Sequence, residues 1–497
     1  MNLQFTTLAL CCSAALSTTS FAQVAPTTYA DGQVAYTHAN IITMQTQEPI
    51  KDATLLVKNG KIEAIVPNNT SIEKDYATID LNGGWVMPGF IDGHVHLNQS
   101  GSAYTRPDII DATNIVAYAQ EQDWLKSHLP TILNDYTQLG VTTVVDLGGP
   151  SAWLDDYAQL MQAPATPAIY AAAELINTAP VPVLDNTGPV FKAISTAKEA
   201  LQAVEAQLAL PTKVVKFVWT GEAGLSPEAL IELYQPAIKA AKTQQRIIAV
   251  HAEQLSYAKA AIIAGADILV HGVMTDVIDD EFIMLAKQHG AVYMPTLTAH
   301  EHYKDVFLKQ VVLPLDNTDT YFDYVSSSFD NLYAHPELSG QMFNIMTKYM
   351  PYVDVPSKAA DLSKQEQAIV GQLSQLFSPT ITHNQQQNLK LAANAGLKLA
   401  FGTDAGNAAT LHASAIYEEI QAWLAAGMSP LQIAQAMTIG NAVAYNIDDE
   451  TGTISSGKDA SFVVFNTNPL TSEFPSLRPN RVIKAGHQVF INVEDAQ

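Results

Sequence analysis

Six side chains that can bind a metal ion occur in or at the ends of apolar, strand-like runs of this chain. They are His94, His96, Lys216, His251, His271 and Asp404. A single histidine pair, or a lone aspartate beside glycine, is commonly structural, so the prediction rests on the joint placement of all six. His94 and His96 are two residues apart on one run and therefore point to the same side of it. Nitrogen and oxygen donors without a thiolate suit zinc, manganese, iron or cobalt.

Lys216 is unusual because it lies inside the apolar run 214–218. A lysine in such a run loses its water and needs either a partner or a chemical change. A desolvated neutral amine can react with carbon dioxide to give a carbamate, which would bridge two metal ions as a carboxylate does. An ordinary ion-paired lysine is the alternative, and by itself it would be the commoner case.

The runs that carry these side chains alternate with helical stretches across residues 87–451. The eight candidate strands are 87–96, 141–147, 168–176, 214–219, 247–253, 268–273, 292–298 and 397–404. Alternation of this kind favours a parallel sheet, and eight units favour a (β/α)₈ TIM-type barrel of the α/β class. An open doubly wound sheet is the alternative. In a barrel, the carboxyl ends of the strands meet at one mouth, where catalytic groups lie.

Both ends of the chain have a different, β-rich character. Asn59-Gly60 separates two β-prone runs and is a strong hairpin signal, and similar runs return after residue 460. We therefore predict a small β-sandwich domain built from residues 23–86 and 452–497, flanking the barrel at 87–451. Residues 300–395 separate the seventh and eighth strands and are predicted to form a mostly helical insertion. It could cap the site, or be a peripheral or oligomer-contacting element.

The composition narrows the compartment and the partners. The chain has 26 Lys+Arg against 49 Asp+Glu, a net charge of -23, which disfavours nucleic acid and anionic membranes as partners. Its two cysteines, Cys11 and Cys12, exclude a disulfide scaffold. Both lie in a short apolar run at 8–16, followed by a small-residue cleavage pattern at 20–22. Residues 1–22 are therefore predicted to be a signal peptide of an exported protein, periplasmic or secreted.

Several of these pieces together resemble the amidohydrolase superfamily of metal-dependent hydrolases. The resemblance rests on residues 86–96, on Lys216, His251 and His271, and on the Gly-Thr-Asp-Ala-Gly segment at 402–406. Later segments at 426–430, 441–442 and 452–460 extend it over nearly the whole mature chain. The branch it resembles most is that of the imidazolonepropionase-like amidohydrolases, which also includes metal-dependent dipeptidases.

The resemblance implies a ligand set. His94 and His96 would hold the more buried ion with Asp404, His251 and His271 would hold a second ion, and carbamylated Lys216 would bridge the two. One or two divalent ions, zinc foremost, are the expected cofactors. The dipeptidase relatives usually follow this lysine with a Gly-Gly loop, whereas this chain has Trp-Thr-Gly-Glu at 219–222. Dipeptide specificity is therefore left open.

The expected reaction is hydrolysis of an amide or cyclic amide bond in a small-molecule substrate. A metal-bound hydroxide would attack the carbonyl, with Asp404 acting first as base and then as acid. A metal-dependent dipeptidase or carboxypeptidase, and a phosphotriesterase or lactonase on the same site, are the alternatives. A non-catalytic binding protein ranks lower, because such a protein would be expected to lose ligands. A homo-oligomer is left open.

Five further polar residues are weaker candidates. Glu253, His300 and His302 could contact substrate, His412 could support a ligand, and Asp146 is expected to be structural.

Overall fold

The computed structural model describes residues 32–221, 224–314 and 320–492. The predicted signal peptide at 1–22 lies outside these residues. Within them, every helix is too short or too polar to span a bilayer.

The described residues form strands and helices that alternate over most of the chain. The strands are β1 Gln33–Ile41, β2 Ile50–Lys58, β3 Lys61–Pro67, β4 Ala77–Asp80, β5 Trp85–Pro88, β6 Phe90–Val95, β7 Val141–Asp146, β8 Ala168–Ala171, β9 Leu175–Asn177, β10 Phe191–Ala193, β11 Val214–Val218, β12 Ile247–His251, β13 Ile268–His271, β14 Val292–Pro295, β15 Lys398–Leu399, β16 Phe462–Phe465, β17 Arg481–Lys484 and β18 His487–Ile491. The helices are α1 Tyr118–Gln138, α2 Leu154–Leu160, α3 Ala197–Leu208, α4 Pro227–Thr243, α5 Leu255–Ala264, α6 Asp280–His289, α7 Ala299–Leu308, α8 Phe322–Ala334, α9 Gln341–Val353, α10 Lys364–Phe377, α11 Pro379–Asn394, α12 Ala415–Ala425, α13 Pro430–Gln435 and α14 Asn441–Ala444.

The two ends of the chain build one mixed sheet, as predicted. Its strand order is β18-β17-β16-β5-β1-β2-β3, with β4 also paired to β1. The region that was predicted to be a β-sandwich therefore forms a single hydrogen-bonded sheet of eight strands. Asn59 and Gly60 join β2 and β3 with φ values of 50° and 76°, the positive angles that a tight hairpin turn needs.

The middle of the chain forms parallel sheets with helices between successive strands, which is the pattern of a TIM-type barrel. One sheet has the order β6-β7-β8 and the other β10-β9-β11-β12-β13-β14-β15. The predicted third strand is shared between the two sheets, because β8 belongs to the first and β9 to the second. Between them, the Ala173 carbonyl accepts a hydrogen bond from the Gly149 amide, which follows β7. Beyond β15, the Phe401 carbonyl accepts from the Gly93 amide at 3.0 Å, and the Asp404 amide donates to the His94 carbonyl at 2.7 Å. The last strand therefore lies against the first.

Three predicted strand boundaries differ from the structure. The predicted strand at 87–96 divides at Gly89, because β5 belongs to the mixed sheet and only β6 to the barrel. The run at 168–176 is interrupted between β8 and β9. The run at 397–404 is regular only in β15, because the Phe401 amide donates to the side chain of Asn441 and not to a strand.

Asn441 joins the first and last strand positions with a single buried side chain. Its Nδ2 donates to the Ile91 carbonyl at 2.6 Å and to the Phe401 carbonyl at 2.8 Å, and its Oδ1 accepts from the Phe401 amide at 3.0 Å. Gly93 fits beside it, since a Cβ there would lie 2.7 Å from Asn441 Oδ1. This contact holds the backbone that carries His94.

Replacing Asn441 with alanine should destabilise the fold. Asn441→Ala removes the partner described here from the Ile91 carbonyl and from the Phe401 amide, and one of two partners from the Phe401 carbonyl, which should cost about 2–4 kcal/mol of unfolding free energy. Urea denaturation measures the loss, and Asn394→Ala, at the exposed end of α11, is the control that should change it by less than about 0.5 kcal/mol. A loss below about 1 kcal/mol in Asn441→Ala would contradict this role.

The segment between α7 and α11 is helical, and aromatic side chains pack its helices on one another and on the barrel. The ring of Phe307 lies 6.1 Å from that of Phe343 and 5.8 Å from that of Phe377, measured between centroids. Tyr324 of α8 stacks on Trp124 of α1 with ring centroids 3.5 Å apart, and its hydroxyl donates to the buried carboxylate of Glu121. The insertion is thus anchored to the first barrel helix.

Candidate metal centre

The structure brings the six predicted side chains to the carboxyl ends of the parallel strands. His94 lies in β6 and His96 follows it, while His251 and His271 are the last residues of β12 and β13. Asp404 follows β15. Lys216 is the exception, because it is the middle residue of β11 and lies two residues before the end of that strand. His96, Lys216, His251, His271 and Asp404 line one cavity of about 620 Å³.

His94, His96 and Asp404 form a compact donor group. The Nε2 atoms of His94 and His96 are 3.3 Å apart, and they lie 3.3 and 3.2 Å from Asp404 Oδ1. One donor atom from each residue falls within 4.8 Å of the others, and all three side chains are buried. Within the part of the chain that the structure describes, Asp404 Oδ1 and His94 Nδ1 have no hydrogen-bond partner. The convergence of these atoms therefore fits a shared cation.

A second donor group lies beside the first and contains His251, Glu253 and His271. Their donor atoms also fall within 4.8 Å of one another, with His251 Nε2 3.6 Å from Glu253 Oε1. Glu253 was predicted from the sequence only as a weaker candidate for substrate contact, whereas its position makes it a candidate ligand. Its spacing of two residues from His251, the same as in the His94–His96 pair, is the signal that could have identified it.

Lys216 is 2% exposed, and its Nζ has no hydrogen-bond partner among the described residues. Burial lowers the pKa of Lys216 to about 7, and the nearby carboxylates of Asp404 and Glu253 oppose that shift only in part. A large share of the amine is therefore uncharged near neutral pH. This is the form that can react with carbon dioxide.

Burial also keeps the histidines in the form that binds metals. It lowers the pKa of His94 and His271 well below the ordinary value, and that of His251 to about 3, and in each case the nearby Lys216 adds to the effect. A neutral imidazole offers a lone pair to a metal ion, whereas an imidazolium does not. The donor set as a whole therefore fits one or two divalent ions held by nitrogen and oxygen atoms.

Neighbouring groups orient the ligands. His96 Nδ1 donates to the Gly148 carbonyl at 3.1 Å, and His271 Nδ1 lies 2.9 Å from Thr296 Oγ1, so each ring keeps Nε2 for a cation. Asp146 accepts from the Gly148 amide and from the Tyr157 hydroxyl, and so supports the Gly148 loop as a structural residue.

The backbone at two ligands is strained. His271 and Asp404 have φ values of 69° and 60°, a region that side chains other than glycine rarely adopt. Asp92 holds the strand ends together next to Asp404, since its carboxylate accepts from the amide and hydroxyl of Thr403. Burial raises the pKa of Asp92 to about 7. Such strain persists only where the surrounding contacts fix the backbone, as they do here.

A polar network that the sequence did not predict lines the cavity wall. Arg106 donates to both carboxylate oxygens of Asp108 at 2.8 and 2.6 Å, and its Nη1 donates to Asn407 Oδ1 at 2.9 Å. The Tyr303 hydroxyl donates to the same Asn407 oxygen at 2.8 Å, and Asn407 Nδ2 donates to the Asp404 carbonyl at 3.0 Å. These residues come from three segments distant in sequence, so no local pattern indicated them.

The remaining weaker candidates have different positions. His300 lines the cavity, and its Nε2 lies 2.5 Å from the Leu376 carbonyl oxygen. His302 lies outside this cavity, with Nδ1 2.9 Å from Thr410 Oγ1. Both ring nitrogens of His412 are bonded elsewhere, to the Tyr136 hydroxyl and to the Gln99 carbonyl. His412 therefore does not contact the donor groups through hydrogen bonds.

Known proteins share both sequence and fold with this chain. The profile of the amidohydrolase family matches residues 85–489. An imidazolonepropionase from Colwellia psychrerythraea is 30% identical over 139 residues, which are 22% of this chain and 33% of that protein. The chain thus aligns with about a third of that relative.

Solved structures match over more of the chain. A Xaa-Pro dipeptidase with methionine bound in its active site has a TM-score of 0.65 and 21% identity, covering 92% of this chain and 99% of that one. The ochratoxinase of A. niger has a TM-score of 0.64 and 19% identity, covering 94% and 99%. At this level of identity, both likenesses show the fold alone.

Proposed function

The chain belongs to the amidohydrolase family, and on that premise we propose that it is a metal-dependent hydrolase of carbon–nitrogen bonds. One observation carries the proposal. Two donor groups, His94–His96–Asp404 and His251–Glu253–His271, lie side by side, and all of their members except His94 line one cavity together with the buried Lys216. A fold that served only for binding would not need to bury so many metal-binding side chains together.

Different residues of the site have different roles in the proposed hydrolysis. A divalent ion held by these residues would act as a Lewis acid on the carbonyl oxygen and would lower the pKa of a water molecule to about 7. Asp404 accepts a proton from the attacking water and transfers it to the leaving nitrogen. Asn407 fixes the backbone of Asp404 through its hydrogen bond to the carbonyl. The protein itself therefore needs no nucleophilic side chain.

The finer parts of the proposal concern the ions and the substrate. We propose zinc as the ion, and a carbamate on Lys216 would supply oxygen donors that could be shared by two ions. An amide or cyclic amide is the proposed substrate bond, supported by the relatives whose names describe an imidazolonepropionase and a dipeptidase. The Arg106 guanidinium is already paired with Asp108, so it offers little net charge to a substrate carboxylate. This pairing favours an uncharged or cyclic amide over a free dipeptide.

A substrate panel tests the proposal. Zinc-reconstituted protein would be assayed against acyl dipeptides, cyclic amides, lactones and phosphotriesters, with product formation followed by mass spectrometry. We expect turnover of at least one carbon–nitrogen substrate, and its loss in Asp404→Asn. Turnover confined to lactones or phosphotriesters would contradict the proposed bond class. No turnover of any member, with zinc bound, would favour a binding protein.

We also propose export to the periplasm or the exterior, supported by the apolar run at 8–16 and the small residues that follow it. Mass spectrometry of the exported protein should find a chain that begins after Ala22. A retained Met1 would contradict the proposal.

A further inference from the structure

A second cavity lies outside the metal centre, where α7, α11 and α12 meet. Its volume is about 280 Å³, and its polar lining includes Glu301 and Asp305 of α7, Gln385 of α11 and Glu418 of α12. None of the residues named here belongs to the two donor groups described above.

Gln385 is the first sign that the cavity has an occupant. The residue is 1% exposed, and within the described part of the chain neither its Oε1 nor its Nε2 has a hydrogen-bond partner. A buried amide without partners is costly and rare, and such groups are commonly satisfied by a water, an ion or a ligand. Because Gln385 lines the cavity, the missing partner would lie inside it.

The charged groups around the cavity indicate that the occupant carries a positive charge. Glu418 is partly buried, with 24% of its side chain exposed, and among the described residues its Oε2 has no hydrogen-bond partner. Burial raises the pKa of Glu418 to about 7, so its carboxyl group is ionised only in part near neutral pH and a bound cation would favour the ionised form. Its Oε1 lies 3.8 Å from His302 Nε2, but burial lowers the pKa of His302 to about 4, so that ring is uncharged near neutral pH. Glu301 and Asp305 are one helical turn apart and repel each other. Of the residues that line the cavity, none is a lysine or arginine.

The nearest cation on α7 is engaged elsewhere. Lys304 Nζ is paired with Asp354 at 3.0 Å. Glu301 has one partner, the Thr382 hydroxyl, which does not cancel its charge. Glu301, Asp305, the partly ionised Glu418 and the amide of Gln385 therefore surround a space that no lysine or arginine of the described residues lines.

We propose that this cavity binds a small organic cation, an alkylammonium ion with a short carbon chain. Ammonium hydrogens would bond to Glu418 Oε2 and Gln385 Oε1, and apolar lining residues such as Leu297 and Ala422 would contact the carbon chain. A bare metal ion fits less well. The described residues hold no third set of histidine or carboxylate donors within 4.8 Å of one another, and the space is larger than an ion needs.

Calorimetric titration of the zinc-loaded, full-length protein tests this proposal. Diaminobutane is the probe, and the titrations are run at constant ionic strength. Calcium chloride is titrated in the same way to compare the affinity for a metal cation. We expect saturable one-to-one binding of diaminobutane, weakened at least about tenfold in Glu418→Gln. Glu337→Gln is the matched control, because Glu337 is an exposed carboxylate outside the cavity and its loss should leave the affinity unchanged.

Two further variants keep the test decisive. Gln385→Leu should also weaken binding at least about tenfold, so it serves if Glu418→Gln does not fold. Asp404→Asn should bind diaminobutane as the wild type does, which separates this site from the metal centre and from the proposed hydrolysis. Absence of saturable binding, equal affinity in the wild type and Glu418→Gln, or a preference for calcium would overturn the proposal.

Discussion

Asp404→Asn should lose activity by about 10²–10⁴-fold while the protein stays folded and retains most of its metal. The amide oxygen of asparagine can still lie near the Nε2 atoms of His94 and His96, 3.3 and 3.2 Å from the present carboxylate oxygen. It cannot accept the proton of an attacking water. The loss should therefore fall on kcat, with a much smaller change in KM.

The measurement pairs steady-state kinetics with metal analysis of the same sample. Asp280→Asn, an exposed aspartate at the start of α6, is the matched control and should leave both quantities unchanged. Near-normal kcat in Asp404→Asn would refute the role of this carboxylate in proton transfer. Loss of metal together with activity would show that Asp404 serves mainly as a ligand.

Lys216→Met should reduce activity and metal content together. If the lysine bridges two ions, its loss should lower metal affinity or turnover by about 10–100-fold or more. The control is Lys198→Met, an exposed lysine of α3, which should behave as the wild type. Full metal content with near-normal kcat in Lys216→Met would contradict the bridging role.

In the metal-free protein, Lys216→Met should increase the free energy of unfolding. The folded state lowers the pKa of Lys216 from 10.5 to about 7, so the unfolded chain binds more protons between these values and stability rises with pH there. The cost of the buried amine is thus greatest below pH 7. Below pH 7, metal-free Lys216→Met should have a higher unfolding free energy than the metal-free wild type. Above pH 7, this difference between the two proteins should shrink by up to about 1.4 kcal/mol per pH unit.

Urea titrations at several pH values measure this difference. A gap that widens as pH rises from 7 to 9 would have the wrong sign for a buried lysine of lowered pKa.

The positions of the candidate ligands in and at the ends of strands could be predicted from the sequence, because polar residues are conspicuous in largely apolar runs. His94, His251 and His271 each lie in or at the end of a run that is otherwise apolar, and the barrel topology brings such ends together. Lys216 stood out for the same reason. The split of the first run at Gly89 was not predictable from periodicity, because β5 and β6 are both buried and differ only in the sheet they join.

The rest of the site depends on contacts between distant segments. Arg106 and Asn407 meet across roughly three hundred residues of sequence, and Tyr303 reaches the same amide from α7. No local spacing encodes such a meeting, because it follows from how loops pack over the barrel mouth. Glu253 is the exception. Its spacing from His251 was visible, although only the geometry showed that the two share a donor group with His271.

The central claim is that this cavity hydrolyses a carbon–nitrogen bond with a bound divalent ion. The most direct measurement is a zinc titration of chelator-treated protein, with amide hydrolysis and bound zinc followed in the same samples. We predict no turnover without metal, and recovery that saturates at one or two zinc ions per chain. Turnover that survives complete removal of metal, or zinc that binds without restoring any hydrolysis of amides or cyclic amides, would contradict the claim.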